Sequence, residues 1–91
     1  MSTFVTKHAA TRQQQRGIPQ LLLDLLMDFG SRAPAGRGAS MLFFDKRAKK
    51  RLSSYAGSVA DAFKEHLNVY AIVENETVIT TGHRYVRIQK R

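Results

Sequence analysis

Apolar and polar positions alternate with different periods along the chain, and the changes of period mark the elements. Leu22, Leu25, Leu26 and Phe29 recur at i, i+3, i+4 and i+7, with Asp24 and Asp28 on the other side, so this segment predicts an amphipathic helix. Pro19 suits the first turn of that helix and Gly30 its end. Upstream, Thr6 is a candidate N-cap for a polar helix from Lys7 to about Arg16, closed by Gly17. The two helices read as a helical hairpin.

After them, Ser31 to Ser40 reads as a long loop rich in Ala, Gly and Pro, and Met41 to Phe44 as a short buried strand. Asp45 is a natural N-cap for a helix from Lys46 to about Tyr55, with Ala48, Leu52 and Tyr55 facing inward and Gly57 closing it. Ser58 and Asp61 resemble a capping box for a short helix from Val59 to about Glu65. Leu67 to Val73 is nearly all apolar or β-branched, as a strand covered on both faces would be. Glu74-Asn75-Glu76 predicts a tight turn, and Thr77 to Thr81 returns as an antiparallel partner. Gly82 interrupts the alternation and marks a bulge or bend, after which Tyr85 to Ile88 extends the sheet as an edge strand. This order of elements predicts an α+β fold with helices packed on one face of an antiparallel sheet.

Composition narrows the class. A length of 91 residues, 43% of them hydrophobic, argues for one domain with a thin core. Cysteine is absent, so disulfides and thiolate metal sites are excluded. No apolar run approaches the roughly 18 residues of a membrane span, and residues 1–8 lack the basic start and apolar stretch of a secretory signal. A soluble, cytoplasmic protein that needs no membrane is the expectation.

Charge changes the picture most. Fifteen Lys and Arg against seven Asp and Glu give +8 and a pI near 10.5, which predicts attraction to phosphate polymers or acidic partners. Lys46-Arg47-Ala48-Lys49-Lys50-Arg51 concentrates cations on one helix, where their i, i+3 and i+4 repulsion costs stability. Arg47, Lys50, Arg51 and Ser54 share its outward face, and with Lys49 and the loop residue Arg37 they are candidate contacts to a nucleic-acid backbone. Such contacts give affinity without sequence choice.

Chemistry has two candidate places. His8, Thr11, Arg12, Gln15 and Arg16 share one face of the first helix. They form either a solvated surface or a row of donors aimed at phosphate, with His8 able to act as acid or base. His83 and Arg84, beside Tyr85, can serve a phosphodiester reaction, one group taking a ribose proton while Arg steadies the phosphorane; a structural His bonded to backbone is the other reading. His66 has no charged motif around it beyond Lys64 and Glu65 and reads as a surface residue. The three histidines share no metal-ligand spacing, and Gly36-Arg37-Gly38 is no nucleotide fingerprint, so neither metal nor cofactor is expected.

Three stretches carry a resemblance: Lys7 to Ile18 with its His-Ala-x-x-Arg-x-x-x-Arg-Gly-Ile pattern, Phe44-Asp45-Lys46-Arg47-Ala48, and Val78 to Arg84. They resemble a family of small bacterial proteins of unassigned function grouped with the RelE/ParE-like toxin superfamily. The resemblance spans nearly the whole chain. It implies a helical hairpin packed on a small antiparallel sheet, and in many members RNA cleavage without metal by basic residues and sometimes a tyrosine; others act on gyrase. The family motifs fall on His8, Arg12 and Arg16, and on Thr81, His83 and Arg84. Beyond Arg84, Tyr85 and Arg87 the C-terminus has no clear catalytic Lys/Arg/Tyr set. The expectation is a toxin-type protein acting on RNA as a metal-independent endoribonuclease, with His8 or His83 as acid or base, Arg12, Arg16 and Arg84 clamping phosphate, and an acidic antitoxin-like protein as a partner. The alternative is a non-catalytic module that binds nucleic acid or an acidic protein.

Overall fold

The computed structural model describes residues 4–84. The order is β1 (Phe4–Val5), α1 (Lys7–Gln15), α2 (Gln20–Phe29), β2 (Ser31–Gly36), β3 (Ala39–Phe43), α3 (Lys46–Ala56), α4 (Ser58–Ala62), a 3-10 turn (Lys64–His66), β4 (Val69–Glu74) and β5 (Thr77–His83). The fold is α+β: five strands in the spatial order β1-β5-β4-β3-β2 carry the helices on one face. The sheet is mixed, because the two-residue β1 runs parallel to β5 while every other pair is antiparallel. Consecutive helices α1 and α2 pack mainly on different neighbours, α1 on β5, and α2 on β3, β4 and α3. The expected edge strand from Tyr85 to Ile88 lies outside the described residues.

Local chemistry explains the helix ends. The Thr6 hydroxyl accepts from the Ala9 N–H at 3.1 Å, an N-cap. At the other end of α1 the Gly17 and Ile18 N–H groups donate to Gln14 and Gln13 carbonyls, and the buried Ile18 supplies the apolar contact of a Schellman cap. Asp45 caps α3 by accepting from the Ala48 N–H at 2.8 Å, and the Ser31 hydroxyl donates to the same oxygen at 2.7 Å. The capping box at Ser58 does not form: Ser58 is already helical, Gly57 precedes it, and the short α4 ends at Ala62.

The expected loop from Ser31 to Ser40 is instead a hairpin. β2 pairs with β3 from Ser31 opposite Phe43 to Gly36 opposite Ala39, and Gly36, Arg37 and Gly38 turn the chain with positive φ. Pro34 fits because β2 is the sheet's outer strand, where a missing N–H costs no ladder bond on its open side.

The sheet separates two faces. Leu42, Val69, Ala71, Val73 and Val78 point under the helices and join Ala9, Leu22, Leu23, Leu26, Phe44, Ala48 and Leu52 in one core. On the reverse face, register places Phe43 beside Tyr70 and Tyr70 beside Gly82. The bulge lies at Ile79, between the Val73–Val78 and Ile72–Thr80 pairs, and not at Gly82. Gly82 has another reason: a Cβ there would sit 3.0 Å from the Tyr70 ring, which crosses its backbone. Tyr55 also departs from expectation. It stands on the inward side of the helical wheel yet is 78% exposed, because at the last turn of α3 the core has ended; its ring centre lies 5.0 Å from that of Phe29. Among the described residues no helix is long and apolar enough to cross a membrane.

Candidate functional site

The cations of α3 face outward because Ala48 and Leu52 hold its other side in the core. Arg47, Lys50, Arg51, Ser54 and Tyr55 line an open groove of about 680 Å³ along this face. Among the described residues no carboxylate lines it. The Arg51 guanidinium is fixed at the groove's edge: its Nη2 donates to the Phe29 carbonyl at 2.9 Å and reaches the Ser31 hydroxyl at 3.5 Å. Arg47 and Lys50 are exposed. The ion pair formed by described residues, Arg32 to Glu76 at 3.4 Å, joins β2 to the β4–β5 turn and leaves α3 alone. Lys49 is exposed on α3 but outside the groove, and Arg37 stands at the β2–β3 turn. That turn is about 17 Å along β2 from Ser31, at the strand rise of roughly 3.3 Å per residue. Tyr55, expected in the core, becomes an exposed aromatic among these cations.

The predicted catalytic residues do not form one cluster. The Thr6 N–H bonds the Val78 carbonyl at 3.0 Å, so the His8 end of α1 lies over the start of β5. Gly17, just beyond the other end of α1, lines a cavity with His83 at the end of β5. His8 and Arg16 are therefore separated by about 12 Å along the helix, at roughly 1.5 Å per residue. His8 and Arg16 are exposed, while Arg12 is half-buried beside the inward Ala9. Gln13 lies next to Arg12 and ties α1 to α2, donating to Gln20, which donates in turn to Asp24.

Arg84 and Thr81 are engaged in the fold. The Arg84 guanidinium lies 5.2 Å from the centre of the Phe43 ring on the reverse face of the sheet, and its Nη1 donates to the Phe44 carbonyl at 3.1 Å. Its Nε is buried without a hydrogen-bond partner among the described residues. Thr81, fully buried, donates its hydroxyl to the Tyr70 carbonyl at 2.7 Å. His83 projects to the helix side of the sheet, opposite Val69.

His66, read from sequence as a surface residue, lines the same cavity as His83. This partly enclosed space of about 220 Å³ is bounded by Gly17, Pro19, Leu22, Phe63, His66, Asn68 and His83. The two histidines are 17 positions apart in sequence and line one cavity because the 3-10 turn leads into β4, which pairs with β5. Among the described residues, no group of three or more His, Asp or Glu side chains is placed to hold a metal ion.

Comparison with protein-family models, with curated proteins and with solved structures finds no match in any of the three.

Proposed function

We propose that this protein acts on RNA and holds a single strand along the open face of α3. The observation that carries the reading is the groove itself: Arg47, Lys50 and Arg51 beside an exposed tyrosine, with no lining carboxylate. Cations that follow the phosphate backbone release counterions and give affinity, while an exposed aromatic ring gives unpaired bases a surface to stack on. A duplex hides its base faces, so the tyrosine favours single strands. The RelE/ParE-like arrangement and the toxin-type role belong to the same proposal, supported by the His8, Arg12, Arg16 motif and by helices carried on one face of a sheet. An acidic antitoxin-like protein would meet the same cations.

A titration of labelled single-stranded and duplex RNA against the native protein and Tyr55→Ala tests this. The expected result is tighter binding of the single strand, with a preference that falls in Tyr55→Ala. Equal affinity for both forms, untouched by the substitution, would sink it. A second reading, a non-catalytic binding module, draws on Arg84: its guanidinium is held by the Phe44 carbonyl and the Phe43 ring, away from the cavity that His83 lines.

A further inference from the structure

We infer that His66 and His83 form the acid–base pair of an RNA-cleaving site, in the cavity between the start of α2, the start of β4 and the end of β5. The inference rests on the RNA reading above and assigns its chemistry to a particular place. Both histidines line one partly enclosed space, whereas His8 stands at the far end of α1, about 12 Å along the helix from Arg16 at roughly 1.5 Å per residue.

The backbone around the pair is fixed. The His66 N–H donates to the Phe63 carbonyl at 2.8 Å, and the Arg84 N–H to the Asn68 carbonyl at 2.6 Å, so the 3-10 turn is tied to the end of β5. His83 is held opposite Val69, three residues after His66. At 220 Å³ the space is smaller than the roughly 300 Å³ at which drug-sized ligand pockets begin. It suits one ribose-phosphate unit of a longer chain passing over its open side.

The charged groups next to the lining residues are Arg16 before Gly17, Lys64 and Glu65 before His66, and Arg84 after His83. Arg84 turns to the other face of the sheet. Among the described residues the lining has no carboxylate, and the exposed neighbours are two cations, Arg16 and Lys64, against one anion, Glu65, a balance that favours a phosphodiester. Along α2, Leu22 at the cavity and Phe29 at the Tyr55 ring are about 10 Å apart at the same helical rise.

The step needs no metal or oxidant. One neutral imidazole takes the ribose 2′-hydroxyl proton, the 2′ oxygen bonds to phosphorus, and the phosphorus–5′ oxygen bond breaks. The other imidazole, protonated, gives its proton to the departing 5′ oxygen. The products are a 2′,3′-cyclic phosphate and a 5′-hydroxyl, and exchange with water returns the two imidazoles to their starting states. The Asn68 amide, in the lining, can donate to the non-bridging oxygens as charge builds on them.

The test uses the full chain and a labelled oligoribonucleotide, with its 2′-O-methyl counterpart as the uncleavable control. The native protein is expected to release cyclic-phosphate ends with a bell-shaped pH profile. His66→Ala should cut the rate by about 10²- to 10⁴-fold, the usual scale for losing an acid or base, and remove one limb of the profile. RNA affinity should fall far less than the rate, and the folded spectrum should stay unchanged. Because His66 is exposed, its replacement leaves folding intact, and His66→Gln serves as a second variant should alanine prove disruptive. Normal RNA binding with no cleavage by the native protein overturns the inference, as does cleavage that survives His66→Ala or is lost instead in His8→Ala. Absence of any RNA binding would instead defeat the α3 reading on which it rests.

Discussion

Arg47 and Lys50 on α3, and Arg84 just after β5, meet their surroundings in opposite ways. Arg47 and Lys50 project from α3 into an open groove and are exposed. Arg84 spreads its guanidinium over Phe43, itself 1% exposed, and donates to the Phe44 carbonyl. Both are basic residues in a chain of net charge +8. One pair repels itself on a helix and would be relieved by an external anion; the other cation is engaged by the protein's own carbonyl and ring. Partners within the fold, more than residue type, separate a binding cation from a structural one.

The sharpest way to break this contrast is Arg84→Ala. It leaves the Phe44 carbonyl without its charged donor, worth about 1.5–3 kcal/mol, and removes a cation–π contact of about 0.5–1 kcal/mol. Denaturant unfolding should register a loss of about 2–4 kcal/mol, with RNA affinity of the folded protein nearly unchanged. Tyr55→Ala should do the reverse. Single-strand affinity should fall by about 1–3 kcal/mol. Stability should drop by no more than the roughly 0.5–1.5 kcal/mol of its ring contact with Phe29.

Asp45→Ala comes next. It removes the cap of the cationic helix and should cost about 1 kcal/mol in thermal or denaturant unfolding. The smallest change in stability is expected for Arg47→Gln with Lys50→Gln. Relief of like-charge pairs makes the protein more stable by a few tenths of a kcal/mol, on the scale of about 0.2–0.5 kcal/mol per pair. Destabilisation of that double variant would show that these cations are engaged within the fold after all.

Much of the architecture was legible in the chain because it is written locally. Thr6, Asp45 and Gly17 cap helices through groups within four residues, and the Leu22 to Phe29 stripe needs no knowledge of its partner. The β2 strand was not legible: Ser-Arg-Ala-Pro-Ala-Gly has no period of two and no β-branched residue, and it is extended because β3 offers it a ladder. Tyr55 obeys the helical period yet lies beyond the reach of the core, and a wheel projection cannot say where a core stops. Gly82 reads as a bulge until the Tyr70 ring is placed over it. The cations of α3 could be assigned to an outward face from spacing alone. His66 could not be joined to His83, since nothing nearby in sequence marks it and only the β4–β5 register places it there.

The central claim is that the α3 face carries RNA through phosphate contacts, and the salt dependence of single-strand binding tests it most directly. For the native protein, log K against log salt should fall steeply, by about 0.7 for each phosphate contacted on a single strand. In Arg47→Gln with Lys50→Gln the slope should shallow by about 1.4, two contacts' worth on that same scale. A slope near zero in the native protein, or one that the double substitution leaves unchanged, would contradict the account.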